Sequence, residues 1–379
     1  MMKATATRPL RVLICDDSAV VRASVRKMLE ADEGIKVVAT AGDPYEARDQ
    51  ILATKPDVLT LDLEMPRMDG LSFLKIIMRE HPMPVIIISS LSQSGSQIAL
   101  EALQLGAVEV IGKPKGSYAL GHIGPQLVEK VKAAAEAGRR GVAGMERASL
   151  SRRASQQIMA ATRGPAPDLA RAARTAMAGQ VARVRTRSYP ADGLLLLGAS
   201  TGGTEALKAV LTRLPADMPP IAVVQHIPPY FSRAFADRLN TQCALSVKEA
   251  VDGDVVTSGQ VLVAPGDQHM VLERAAGGYR ARLNDGAPVW HQRPAVDLLF
   301  TSAVRLAPRT TVAAVLTGMG RDGAEGLLAL RKAGARTFAQ DEASSVVWGM
   351  PKAAWEIGGA SHLVSLDAMA DTLVGAWSS

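Results

Sequence analysis

Val58-Leu59-Thr60-Leu61-Asp62 is a short leucine- and β-branched run that ends on a carboxylate. Three other stretches share its form. Val12-Leu13-Ile14-Cys15 runs into Asp16-Asp17, Val85-Ile86-Ile87-Ile88 into Ser89-Ser90, and Val108-Glu109-Val110-Ile111 into Lys113-Pro114. Runs of this kind, separated by helix-length segments, read as strands covered on both faces, the mark of a parallel sheet. Val20, Val21, Val25, Met28 and Leu29 have helical spacing, as do Leu71, Leu74, Ile77 and Met78. Five βα units fit between Arg11 and Ala137, the last helix lying around Pro125 to Ala137. A doubly wound sheet places its chemistry at the carboxyl ends of its strands. Here those ends carry three carboxylates, a hydroxyl and a lysine.

Asp16, Asp17 and Asp62 would concentrate negative charge within a few ångströms, a setting that suits Mg²⁺. With a metal offsetting that charge, Asp62 could attack a phosphoryl group, with Lys113 and Ser89 in reach of it. The segments RVLICDDSAVVR, DVLTLDLEMPRMDGLSFL, PVIIISS and GAVEVIGKP resemble the receiver domain of two-component response regulators, over residues 9–137. The resemblance implies a flavodoxin-like (βα)5 fold with Asp62 as phosphoacceptor. It also implies a Mg²⁺ held by Asp16, Asp17, Asp62 and the backbone carbonyl of Glu64, with Ser89 as switch hydroxyl and Lys113 contacting the phosphate. A histidine kinase would be the phosphodonor. Receivers more often carry valine at the position of Cys15, which here reads as a small buried hydrophobe.

At 379 residues the chain exceeds what one core usually organises, so two domains are expected. Met1–Leu10 lacks an apolar signal segment and no run approaches the ~18 apolar residues of a membrane span, so a cytoplasmic protein without direct membrane insertion is expected. Two cysteines cannot build a disulfide framework. The net charge of +6 suggests nucleic acid, but its location argues otherwise. Residues 138–190 hold eleven arginines, no lysine, and only Glu146 and Asp168 as acids, which leaves the rest of the chain slightly acidic. This Arg/Ala-rich stretch, poor in large apolar residues, reads as a flexible linker.

Alternation resumes at Leu194. Leu194–Leu197, Ile221–Val224, Val261–Val263 and Val312–Leu316 are strand candidates, and helices are expected over Gly203–Leu214, Phe231–Asn240, Ala295–Arg305 and Gly323–Ala333. A doubly wound parallel α/β domain over residues 191–379 follows. Gly198-Ala199-Ser200-Thr201-Gly202 fits a nucleophile elbow, in which glycines permit a tight turn that exposes a serine oxygen. His226 stands at the carboxyl end of another strand, where a general base belongs. Asp322 follows a third strand and would be the orienting acid or, less specifically, a helix N-cap. Ser200–His226–Asp322 makes a triad in an order unlike the Ser–acid–His of α/β-hydrolases, which would instead require His362.

The motifs GASTGGTEAL, QHIPP, VAPGDQHM, RPAVDLLF, LTGMGRDGAEGLLALRKAG and QDEASSVVWGMPKAA resemble the protein-glutamate methylesterase domain of the CheB family. That resemblance implies Ser200 as nucleophile, His226 as base and Asp322 as orienting acid. Thr201 would flank the nucleophile, and the Met319 N–H would help to bind the oxyanion. It implies demethylation of glutamyl methyl esters on the helical cytoplasmic domains of chemoreceptors, deamidation of selected glutamines, and no cofactor for the esterase. A receiver lying over the esterase cleft is also implied, although a linker of about fifty residues is longer than such docking needs. A DNA-binding regulator is disfavoured because the C-terminal half lacks a basic recognition helix. An intact Ser200, His226 and Asp322 argues against a catalytically silent binding module.

Overall fold

The computed structural model describes residues 8–89, 92–113, 124–139 and 189–377. Nearly all of the 138–190 linker, and Pro114, lie outside the described residues. In the N-terminal half, β1 (Leu10–Cys15), β2 (Ile35–Ala41), β3 (Val58–Asp62), β4 (Val85–Ser89) and β5 (Glu109–Gly112) form an all-parallel sheet in the order β2-β1-β3-β4-β5. This is the flavodoxin-like order expected from the sequence. Helices α1 (Ala19–Leu29), α2 (Pro44–Thr54), α3 (Gly70–Glu80), α4 (Gln93–Gln104) and α5 (residues 124–139) are the crossovers. Ser18, Asp43, Asp69 and Ser92 start α1 to α4, each accepting a first-turn N–H on its side chain. Cys15 is buried, as expected.

The C-terminal half is built on seven parallel strands. These are β6 (Leu194–Ala199), β7 (Ile221–Gln225), β8 (Ser246–Glu249), β10 (Gln260–Val263), β13 (Thr311–Val315), β14 (Arg336–Gln340) and β15 (His362–Val364). Their order is β15-β14-β13-β6-β7-β10-β8. The chain moves outward on one side of β6 and later returns to its other side as β13, so the order reverses at β6. Register is set by Gly198 opposite both Val315 and Val224, and Ala199 opposite Gln225. The carboxyl ends of β13, β6 and β7 therefore lie flush, and the residues that follow them share one crevice.

Helices α6 (Gly203–Leu211), α7 (Phe231–Gln242), α8 (Val296–Ala303), α9 (Ala324–Lys332), α10 (Met350–Glu356) and α11 (Leu366–Gly375) cover this sheet. All four helices expected here exist, with ends shifted by one to three residues. An antiparallel ribbon of β9 (Val255–Val256), β11 (His269–Ala275) and β12 (Gly278–Asn284) was not anticipated from the sequence, nor were β8, β14 and β15. The ribbon buries Met270, Leu272, Tyr279 and Ala281 while the residues between them, Val271 and Arg280, stay partly exposed, a half-buried alternation rather than a continuous buried run.

The two halves touch. Helix α4 packs on α7, and Leu100, Leu103, Phe235 and Leu239 line a shared crevice. The halves dock although about fifty residues separate them along the chain, since loop-closure cost grows only logarithmically with length.

Gly318, just after β13, lies against the turn that carries Ser200. A Cβ there would stand 2.4 Å from Met350 Sδ and 2.8 Å from Ser200 Cβ. Gly318→Ala is expected to destabilise the C-terminal half by about 1–3 kcal/mol, as overpacking does. Urea unfolding followed by circular dichroism would measure this, and an unchanged midpoint would contradict the close approach.

Candidate functional site

The first half places its acids as expected. Asp62 closes β3 fully buried, Asp16 follows β1 buried, and Asp17 beside it is exposed. One oxygen from each lies within 4.8 Å of the others. Lys113 Nζ stands 2.7 Å from Asp62 Oδ2 and 3.2 Å from Asp16 Oδ2. Burial raises Asp62 to about 6, against the lowering pull of Lys113. Burial disfavours charge on Lys113 too, but its hydrogen bond and charge pairing with Asp62 leave its pKa raised. Ser89 is buried at the end of β4, its carbonyl accepting from Lys113 N (2.7 Å). Glu64 N donates to Asp62 Oδ1 (3.2 Å), which holds the Glu64 backbone beside the acids.

Three carboxylates face one ammonium, which Asp62 and Asp16 share. The pocket thus has room in its charge balance for a divalent cation on oxygen ligands, and these residues fit Mg²⁺.

The second site forms where β6, β7 and β13 end. Here α6 and α9 begin at glycines in the left-handed region, Gly202 (φ +76°) and Gly323 (φ +87°), with no side-chain cap. The polar side chains at these turns are therefore free for other work. Asp322 is buried and accepts from His226 Nε2 (2.8 Å), Val296 N (2.7 Å) and Asp297 N (2.9 Å). It does cap a helix, as its bland reading suggested, but the helix is α8 rather than the one that follows it. His226 is buried, and its Nδ1 has no partner among the described residues. With Nε2–H donating to Asp322, Nδ1 keeps the lone pair that can take a proton.

Ser200 sits in the turn after β6, 5% exposed, its N–H donating to Thr317 O (3.0 Å). Gln225 Nε2 donates to Ser200 O (2.9 Å). Thr317 N donates to Gln340 Oε1 (2.8 Å), and the Thr317 hydroxyl reaches Thr201 O (3.0 Å). Met319 lies in the next turn, directly after Gly318. His362 is distant in role: exposed at the start of β15, it pairs with Ser361 Oγ (3.0 Å) and stacks near Phe338.

Sequence reasoning missed the polar frame of Gln225, Thr317 and Gln340, and it missed Glu109. Glu109 opens β5 of the first half, yet its carboxylate accepts from the Thr201 hydroxyl (2.9 Å) and pairs with Lys130 (3.3 Å). Gln126 of α5 donates to His291 O (2.9 Å). A cleft of about 320 Å³ lies between the halves, lined by His226, Pro228, Gln292 and Arg293 on one side and by Gln126 and Lys130 on the other. A charged residue inside a strand run was a visible signal, but nothing in sequence says what it faces.

The family description "CheB methylesterase" matches residues 195–373, and "Response regulator receiver domain" matches residues 12–122. The chain is 46% identical over 365 residues (96% of this chain, 98% of the relative) to "Protein-glutamate methylesterase/protein-glutamine glutaminase 2" of Syntrophus aciditrophicus. It is 47% identical over 373 residues (98% of each) to "Protein-glutamate methylesterase/protein-glutamine glutaminase 1" of Xanthomonas euvesicatoria. The chain belongs to the CheB methylesterase family. A solved structure described as the Thermotoga maritima CheB methylesterase catalytic domain is also similar, at 37% identity and a TM-score of 0.47, covering 48% of this chain and 97% of that one. In this CheB-family chain the receiver is the N-terminal half and the methylesterase domain the C-terminal half.

The raised Asp62 has a thermodynamic consequence. Its folded pKa of about 6 lies above the ~3.9 of an unfolded aspartate, so the native receiver binds more protons in between. In metal-free buffer, receiver stability is expected to fall as pH rises from 4 through 6 and then level off. Asp62→Asn should flatten that slope in urea titrations, and a slope that survives the substitution would count against Asp62 as its source.

Proposed function

We propose that Ser200, His226 and Asp322 form the catalytic triad of a receiver-controlled protein-glutamate methylesterase. The observation that carries this reading is the buried His226–Asp322 pair with a partnerless Nδ1 at the strand end beside Ser200. Nδ1 takes the Ser200 proton as Oγ attacks the ester carbonyl. Asp322, anchored by two α8 N–H groups, stabilises the imidazolium that results. The Thr201 and Met319 N–H groups, which donate to no acceptor among the described residues, would receive the oxyanion. Such donors are worth roughly 3–4 kcal/mol each in comparable enzymes. The imidazolium protonates the leaving methoxide, and water then enters by the same route to release the glutamate. A γ-amide would follow this path with ammonia leaving, which gives the glutaminase activity. Each step uses a side chain, a backbone N–H or water.

The substrate would be glutamyl methyl esters on the cytoplasmic helices of chemoreceptors, and the phosphodonor a chemotaxis-type histidine kinase acting on Asp62. A cytoplasmic location suits both, and no helix among the described residues is long and apolar enough to cross a membrane. The domains would be 9–137 and 191–379, joined by 138–190. Asp16, Asp17, Asp62 and the Glu64 carbonyl would hold Mg²⁺, which when bound neutralises charge on the incoming phosphoryl oxygens. Lys113 and Ser89 would engage the phosphoryl group on Asp62. Phosphorylation would redirect Lys113, which follows β5, and β5 carries Glu109 to Thr201.

Ser200→Ala is expected to lower methanol release from methylated receptor fragments by several orders of magnitude while leaving the melting temperature unchanged. His362→Ala should be silent. Activity lost with His362→Ala but kept with His226→Ala would reverse the assignment of the base. Glu109→Ala removes a buried charged contact worth about 1.5–3 kcal/mol, so unphosphorylated full-length protein should gain basal activity about tenfold or more. If basal activity does not rise, Glu109 is not part of the inhibitory contact.

A further inference from the structure

Trp290 and His291 are consecutive residues in the left-handed backbone region, at φ +51° and +61°. They are the central pair of a two-residue hairpin closed by Val289 N to Gln292 O (3.0 Å) and Gln292 N to Val289 O (2.8 Å). Two positive φ values in such a loop describe a type I′ turn, which favours Asn-Gly and penalises bulky side chains. A bulky aromatic is held there all the same, and held firmly. Trp290 Nε1 donates to Asp297 Oδ2 (2.8 Å), and the Arg321 guanidinium lies 4.6 Å from its ring centroid. Both partners touch the triad through the chain. Asp297 N donates to Asp322 Oδ1 (2.9 Å), and Arg321 immediately precedes Asp322.

With its edge and one face fixed, Trp290 is still 40% exposed. Its single donor is already used, so what it offers solvent is apolar ring surface with no hydrogen-bonding demand. Gln292 and Arg293, directly after the turn, line the cleft that also holds His226.

We propose that Trp290 is a specificity-determining residue whose ring contacts the helical segment of the receptor around the scissile ester, by packing on its aliphatic side-chain stems. This rests on the methylesterase reading above and adds which part of the substrate is gripped and by what. The ring does not touch the reacting carbonyl, so it acts on recognition of the protein substrate and not on bond-making.

The test uses full-length protein activated with a small acyl phosphate, and compares a methylated receptor cytoplasmic fragment with p-nitrophenyl acetate. Trp290→Ala is expected to raise KM for the receptor fragment about tenfold while leaving its kcat and the small-ester rate within about twofold. Trp290→Phe, which keeps a ring but loses the Asp297 bond, should stay close to wild type on both. Equal loss on both substrates would assign Trp290 a structural role through Asp297 and overturn the proposal. So would a Trp290→Phe variant as impaired as Trp290→Ala, or a Trp290→Ala variant with unchanged KM beside an active wild type. A wild type inactive on the receptor fragment would instead overturn the methylesterase reading, and this proposal with it.

Discussion

The buried carboxylate of Asp322 is the point on which the catalytic half depends. It accepts three hydrogen bonds at once, one from His226 and two from the first turn of α8. A carboxylate so deep would be costly without donors, and the positive end of a helix dipole supplies part of the compensation. The same three bonds tie together the ends of β7 and β13 and the start of α8. One interaction therefore orients His226, the proposed general base, and fixes the elements that frame it. Glycines at the starts of α6 and α9 release Ser200 and Asp322 from capping their own helices, which is the local sequence choice that makes this possible.

The receiver reaches this centre through β5. Lys113, just after the strand, bonds Asp62, while Glu109 at its start bonds Thr201, the neighbour of Ser200. Both contacts are polar and buried or nearly so, so each is worth more than a surface pair and each leaves an unpaired group if broken. On the proposed reading, a phosphoryl group on Asp62 would compete for Lys113 directly. Such coupling would need only two packings of β5 and α5 that differ by a few kcal/mol.

Much of this was legible in the sequence, for identifiable reasons. The receiver strands are continuous apolar runs closed by acids, so both the fold and the acidic pocket could be read directly. Ser200, His226 and Asp322 each follow such a run, and strand-end placement brought them together without knowledge of sheet order. Other features were not readable. The ribbon of β9, β11 and β12 alternates its burial and so lacks the continuous signal. Gln225, Thr317 and Gln340 act through backbone contacts that no spacing announces. Asp322 was legible as an acid near a helix start, but the helix it caps is 26 residues earlier in the chain. Glu109 looked like an irregularity in a strand because its partner lies in the other domain.

The central claim is that Ser200 is activated by His226 under receiver control, and covalent labelling of the activated serine tests it most directly. Full-length protein would be treated with a serine-directed fluorophosphonate, with and without a small acyl phosphate, and the adduct located by peptide mass spectrometry. The account predicts a single adduct on Ser200, formed faster after phosphorylation of Asp62 and nearly absent in His226→Ala. An adduct on another residue, or labelling of Ser200 that is indifferent to His226, would contradict it.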